Sequence, residues 1–289
     1  MERIRTAIQK AKEGRDTALG QASAGAAVAG AAASAGTAAA ATDAASRHLS
    51  RPPGDAWSVL EPYHPNLNLM DRNRIVTFDQ KDDAHVPFDM MRTRVLAACR
   101  QHEWVNIGIT SPTAGCGKTV TAINLAFSLA RQKDMRTVLM DVDLRRPKVA
   151  ENLGIVANHS MGQFLGGHER VEDHFLVYGD TLAIGTNKRR SLHSAEILQD
   201  NNAIEAMATL QKALNPGVVL VDLPPMMSTD DVMAFLPNLD AVLIIAAAGT
   251  SQMREVDDCE RELSERTNVM GVVLNKCEYI PDNYGYKYE

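Results

Sequence analysis

TSPTAGCGKTVT, residues 110–121, lies between two apolar patterns of different period. Residues 104–109 before it form the short apolar run of a buried strand, while Ile123, Ala126, Phe127 and Ala130 after it recur at helical spacing. Strand, glycine loop and helix follow one another in the order a phosphate site needs. Gly115 and Gly117 lack a Cβ, so their amides can approach a phosphate closely, and the new helix offers unpaired N–H groups and the positive end of its dipole. Across Ala114, Gly115, Cys116, Gly117, Lys118, Thr119 and Val120 the loop backbone would cradle a nucleotide. Lys118 would bring a point charge to the β and γ phosphates, and Thr119 a hydroxyl to Mg²⁺. Pro112 stands where the pattern G-x-x-x-x-G-K-[ST] has its first glycine, so the loop departs from the strict form.

With 289 residues and 45% hydrophobic side chains, the chain has enough material for one large α/β domain or two small ones. Its net charge of −6 gives no sign of a nucleic-acid surface, and the basic runs at 145–148 and 188–190 are too short to reverse that; solvated loops account for them. Cys99, Cys116, Cys259 and Cys277 are scattered without a C-x-x-C pair, which suggests neither a disulfide framework nor a zinc site. This fits a reducing compartment.

Met1, Ile4, Ala7, Ile8 and Ala11 share one helical face, so residues 1–19 form an amphipathic N-terminal segment. Residues 20–46 are almost wholly Ala, Gly, Ser and Thr, with Val28 the one large apolar residue. Such side chains bury too little surface to offset the entropy of ordering. With the Pro-rich stretch that follows, residues 20–71 are read as a disordered linker and 72–278 as the folded domain. No run has the length and apolar density of a membrane span. Within the domain the patterns predict a helix over 88–99, strands at 137–141, 182–184, 218–222, 241–247 and 270–274, a helix with Pro147 in its first turn that stops before Gly154, and helices over 194–214 and over 254–266. Strands alternating with helices predict a P-loop NTPase-like α/β fold, a mainly parallel twisted sheet with helices on both faces.

Asp141 and Asp143 close one apolar strand and Asp222 closes another. In an open α/β sheet the ligand lies beyond the carboxyl ends of the strands, so the three carboxylates can converge on the mouth that the glycine loop lines. Mg²⁺, which prefers hard oxygens, would sit there on Thr119, carboxylates, water and phosphate.

The series SPTAGCGKT, VLMDVDLRRP and VVLVDLPP resembles the Walker A, A′ and B motifs of the bacterial tyrosine kinases of capsular and exopolysaccharide production. The first residues, MERIRTAIQKAKE, and the last, GVVLNKCEYIPDNYGYKYE, also resemble stand-alone cytosolic members of that family. Partition and division-site ATPases of related architecture carry a signature lysine early in the loop, where this chain has Thr113. The resemblance implies an ATP- and Mg²⁺-dependent protein-tyrosine autokinase in which Lys118 neutralises the phosphates and Thr119 and Asp222 organise the metal. Asp141 would then be base or metal contact, and Asp143 would support them. Positioning and charge neutralisation would supply most of the rate. Asn275, after the last strand, would either read the adenine edge or merely end the strand.

Tyr279, Tyr284, Tyr286 and Tyr288 crowd the tail 279–289, where Pro281, Asp282, Asn283 and Gly285 interrupt any strand or helix, and they are read as phosphoacceptors. The resemblance further implies an inner-membrane polysaccharide co-polymerase as activator, self-association, a cognate tyrosine phosphatase, and a cytoplasmic location at the inner membrane held through the partner. Of the E-x-x-R-x-x-R element that many relatives use for ring assembly, only Arg92 matches, with Val86 and Asp89 in the other places. The competing reading is a partition-type ATPase switch without kinase activity.

Overall fold

The computed structural model describes residues 55–79, 83–191 and 193–277, all within one compact unit. The amphipathic segment 1–19, the Ala/Gly-rich part of the linker and the four tail tyrosines lie outside the described residues. Among the described residues the chain builds an eight-stranded sheet from β1 (Glu61–Pro62), β2 (Asn106–Thr110), β3 (Thr137–Asp141), β4 (Phe175–Tyr178), β5 (Leu182–Gly185), β6 (Val218–Asp222), β7 (Ala241–Ala247) and β8 (Asn268–Asn275), in the order β1-β4-β5-β3-β6-β2-β7-β8. From β5 to β8 the neighbours are parallel; β4 pairs antiparallel with β5, and β1 runs parallel to β4.

Helices cover both faces, as a parallel sheet requires. Strand alternation sorts the side chains: Val138, Met140, Val219, Val221, Val242 and Ile244 enter one core, Ile107, Ile109, Leu139, Leu220, Leu243 and Ile245 the other. The first core is closed by Phe164 of α5 (Met161–Leu165), Leu210 and Leu214 of α8 (Asn201–Leu214) and Phe235 of α9 (Asp231–Phe235). The second is closed by Val95 and Cys99 of α2 (Val86–His102) and Ile123 and Phe127 of α3 (Lys118–Ala130). The remaining helices are α1 (Leu67–Arg72), α4 (Val149–Leu153), α6 (Val171–His174), α7 (Ser194–Gln199) and α10 (Met253–Ser264).

Three expectations need correction. The linker does not extend to residue 71, because residues 55–71 are folded onto the domain. Trp57 is buried, and its indole N–H donates to Leu214 O at 2.7 Å beneath the Arg136 guanidinium, 4.2 Å from the ring centre. Tyr63 is buried with its hydroxyl on Leu153 O at 2.7 Å, and β1 adds a short strand to β4. A few large aromatics with satisfied polar tips outweigh the prolines around them. The single helix expected over 194–214 is two, because Asp200 is extended (φ −68°, ψ 146°) and its carboxylate caps α8 by accepting from Asn202 N at 2.9 Å. Pro147 precedes α4 instead of lying in its first turn, while Gly154 ends that helix at φ 68°.

Trp57→Ala should therefore destabilise the protein by about 3–5 kcal/mol, the cost of deleting a buried aromatic. Urea unfolding followed by circular dichroism measures it, and an unchanged midpoint would show that the segment does not belong to the cooperative unit.

Candidate active site

The parallel register of β3 and β6 sets Asp141 directly beside Asp222, and β2, hydrogen-bonded to the other side of β6, delivers the glycine loop to the same edge. The loop is tied down from outside. Met226 N donates to Ser111 O at 2.8 Å, Met227 N to Pro112 O at 3.1 Å, and the Thr110 hydroxyl to Pro224 O at 2.7 Å. Gly115 and Gly117 have φ of 86° and 88°, a region that favours glycine. At Gly117 a Cβ would also lie 2.3 Å from Asn275 Nδ2, so the position admits no side chain while Asn275 stays in place.

Asn275 Nδ2 donates to Cys116 O at 2.9 Å. In a trans peptide the carbonyl of residue 116 and the N–H of residue 117 point opposite ways, so anchoring the carbonyl from β8 turns the Gly117 N–H toward the far side of the loop. This structural task for Asn275 was not apparent from the sequence; only its place at a strand end beyond the loop hinted at it. Cys116 is buried, its thiol donating to Thr113 O at 3.3 Å and lying 3.4 Å from the Ser251 hydroxyl. Ala114 and Gly115 are exposed at the loop tip, and Val120 is half-buried behind it.

Lys118, Thr119, Asp141, Asp143 and Asp222 come together as the sequence implies. Lys118 Nζ lies 2.9 Å from Asp143 Oδ2 and 3.6 Å from Asp222 Oδ1, and the Thr119 hydroxyl donates to Asp222 Oδ2 at 2.7 Å. Asp141 Oδ2 accepts from Lys148 N at 3.1 Å and Val149 N at 2.9 Å, at the start of α4; Asp143 Oδ1 accepts from Arg146 N at 2.9 Å. The fifth charged partner at this mouth is Arg145, bound through Nε and NH2 to the buried Asp231 at 2.9 and 3.0 Å, which fixes the DLRRP turn against α9.

Charge here is short on one side. Asp141 and Asp222 are both fully buried, and the Oδ1 atom of each has no hydrogen-bond partner. Burial, then the neighbouring Asp222 carboxylate, pushes Asp141 well above the ordinary carboxylate range. Burial likewise raises Asp222, outweighing the opposing charge of Lys118 and the Thr119 hydrogen bond. Burial alone would lower Lys118, yet Asp222, Asp143 and Asp141 hold its ammonium above the ordinary lysine value. One cation thus faces three acids.

Two orphaned carboxylate oxygens beside the Thr119 hydroxyl are a hard-oxygen donor set that fits Mg²⁺. Such an ion takes one or two protein carboxylates and completes its shell with water and phosphate. The element at Val86, Asp89 and Arg92 is engaged within the chain. Asp89 Oδ1 accepts from Arg92 NH1 at 2.8 Å, the Ser128 hydroxyl at 2.6 Å and Arg131 NH1 at 3.1 Å, knitting α2 to α3.

The raised Asp141 gives a signed prediction. An acid whose folded pKa exceeds its unfolded value of about 4 contributes stability that is fully present below that value and lost as pH rises through the folded one. Asp141→Asn should therefore raise the melting temperature of the nucleotide-free protein at pH 7–8, with the gap closing toward pH 4, while removing the stabilisation conferred by Mg-ATP. Thermal unfolding across that pH range, with and without Mg-ATP, checks both, and a variant less stable than wild type at pH 8 would contradict the electrostatic account.

Known proteins align with this geometry. The family described as CobQ/CobB/MinD/ParA nucleotide binding domain matches residues 107–280. The chain is 27% identical over 193 residues to the tyrosine-protein kinase CpsD of Streptococcus pneumoniae serotype 4, a match covering 62% of this chain and 79% of that one. It is 27% identical over 190 residues to the tyrosine-protein kinase Etk of Escherichia coli K12, covering 64% of this chain and 25% of Etk. The crystal structure of the VpsO kinase domain superposes with a TM-score of 0.60 at 26% identity, over 70% of this chain and 99% of that one. The resemblance to bacterial tyrosine kinases therefore holds in sequence and in fold. With the glycine loop and both acidic strand ends inside the matched residues, the chain belongs to the CobQ/CobB/MinD/ParA family of nucleotide-binding domains.

Proposed function

We propose that this protein is a Mg-ATP-dependent protein-tyrosine autokinase acting in the production of a cell-surface polysaccharide, with Tyr279, Tyr284, Tyr286 and Tyr288 as acceptors. The observation that carries the reading is the cluster of Lys118, Thr119, Asp141, Asp143 and Asp222 on one loop and two adjacent strand ends. Support comes from the named tyrosine kinases among its relatives.

In the transfer, the phenol oxygen of the acceptor bonds to the γ phosphorus, the bond to the bridging oxygen of ADP breaks, and the phenol proton passes to a carboxylate or to water. Lys118 leaves part of its contact with the acids to neutralise the phosphates, and the loop amides orient them. Bound Mg²⁺ would neutralise the developing phosphate charge; Thr119 and Asp222 are the residues to hold it. Asp141, with its raised proton affinity, acts as the base or as a further metal contact.

The other tyrosines are engaged in the fold. Tyr63 is buried, its phenol pushed up to about 12 by burial and then by Tyr178. Tyr178 packs among Tyr63, Phe78 and Phe127 with ring centres 6.4, 5.8 and 5.1 Å away. The tail tyrosines are the remaining candidates. No helix among the described residues is long and apolar enough to cross a membrane. In this reading an inner-membrane co-polymerase supplies activation and attachment. Self-association would bring a tail to a neighbouring site, with a cognate phosphatase reversing the modification.

The family also includes MinD- and ParA-type nucleotide-binding domains, so a nucleotide switch without kinase activity is the competing reading. Thr113, at the place of the signature lysine, contacts the Cys116 thiol at 3.8 Å and offers no charge to a nucleotide across an interface. Incubation with Mg-ATP followed by mass spectrometry separates the two. Phosphotyrosine should appear in the wild type, vanish in Lys118→Met, and fall to background when the four tail tyrosines are replaced by Phe. Phosphate on other residue types alone would refute the kinase, and undiminished tyrosine signal in the Phe variant would refute the tail.

A further inference from the structure

We infer that Arg146, Lys188, Arg189 and Arg190 form a basic rim that binds the acidic residues flanking an acceptor tyrosine, making acidic tyrosine peptides the preferred substrate. The catalytic part of this inference rests on the kinase reading; the binding part does not. The two basic runs are remote in sequence, and the sheet brings them together. β3 and β5 run parallel from Thr137 opposite Leu182 to Met140 opposite Gly185, so both chains leave the sheet at the edge where β3 delivers Asp141 and Asp143. Ser191 N then donates to Leu144 O at 2.8 Å, and Lys188 N to His159 O at 2.8 Å. The first bond sets Ser191 against the turn that carries Arg146, and the second fixes Lys188 to the segment before α5.

The side chains of that rim are available. Arg146, Lys188, Arg189 and Arg190 are exposed, and none makes an ion pair among the described residues. The acids close by have other partners. Asp231 and Asp230 face Arg145 at 2.9 and 4.0 Å, and Glu196 lies 3.8 Å from His193. Arg145 thus stiffens the turn, while the Arg146 backbone, held by Asp143 at 2.9 Å, ties the rim to the catalytic acids. In a chain of net charge −6, four unpaired cations on this rim attract an anionic ligand and repel a cationic one.

The chain contains a segment of matching chemistry. In EYIPDNYGYKYE, residues 278–289, Glu278 precedes Tyr279, Asp282 lies two residues before Tyr284, and Glu289 follows Tyr288. A tyrosine placed at the γ phosphate would carry these carboxylates toward the rim, which lies at the β3 and β5 end of the same sheet edge. Each exposed pair is worth no more than about fivefold in affinity, so four cations give discrimination of about tenfold that salt should erase.

The test uses the full chain and two fluorescent peptides: EYIPDNYGYKYE, and the same peptide with Glu278 and Glu289 as Gln and Asp282 as Asn. Anisotropy with Mg²⁺ and a non-hydrolysable ATP analogue should show the acidic peptide bound about tenfold tighter at low salt, with the difference lost in K188E/R189E/R190E and reduced in R146E. A fluorescent ATP analogue should bind the triple variant as it binds wild type; if it does not, K188Q/R189Q/R190Q replaces it. In the kinase assay the preference should appear in KM and not in kcat. Equal affinity for both peptides, or a preference that survives charge reversal, would overturn the inference. So would loss of binding to vesicles containing anionic phospholipid in the triple variant with peptide preference unchanged, which would assign the rim to a membrane. Absence of phosphotyrosine on either peptide would remove the kinase reading and leave the anisotropy result to decide on the rim.

Discussion

Two buried carboxylates held side by side set the terms for the rest of the molecule. Asp141 and Asp222 are paired in register at the ends of adjacent parallel strands, both wholly removed from water. Two like charges so placed are tolerated only with a cation or a shared proton. Lys118 provides the cation, but it divides itself between Asp143 and Asp222. The deficit that remains is what a divalent ion with a polyphosphate would fill. The position of Lys118 follows from β2, the loop and α3, and α3 is buried from Thr119 through Leu129 apart from Val120, so the backbone that carries the lysine is held in place.

Helix and sheet therefore serve the charge arrangement more directly than they serve each other. Because β3, β6 and β2 are hydrogen-bonded neighbours, a change in register of one residue would carry an aspartate to the opposite face. The apolar runs guard against that. Each strand residue from Val218 to Val221 enters one core or the other, so slippage would cost burial on both faces.

This also explains what could be read from the sequence. Strands at 137–141, 218–222 and 241–247 have the expected bounds, because a strand buried on both faces is a continuous apolar run closed by a polar residue. The same closing residues, Asp141 and Asp222, were legible as site candidates for that reason. Less was visible where isolated contacts decide. Residues 55–71 read as linker because prolines and polar residues surround Trp57 and Tyr63, whose partners Leu214 and Leu153 are remote in sequence. β4 is hard to see for a similar reason, being a four-residue strand between the two-residue β1 and β5 that pairs antiparallel with β5 and so breaks the alternation of strand and helix. Residues 188–190 and 145–148 read as separate solvated runs, since nothing in their spacing reveals the Leu144 to Ser191 hydrogen bond.

The loop itself shows how a local motif depends on distant chain. The conformation that turns its amides inward has two supports: positive φ at Gly115 and Gly117, and the amide of Asn275 on the Cys116 carbonyl. The first is local and readable. The second comes from the last residue of β8, at the opposite end of the domain in sequence, and it makes glycine obligatory at 117 for a reason beyond φ, since a Cβ there would strike Asn275. β8 is in turn an edge strand, paired through β7, with a register shift between Val242 and Leu243 that accommodates an extra residue on the β8 side. That shift sets which residue arrives opposite Ala247, and so places Asn275 at the loop. Asn275 lies only four positions before Tyr279, so the residue that anchors the glycine loop is close in sequence to the first of the proposed acceptors.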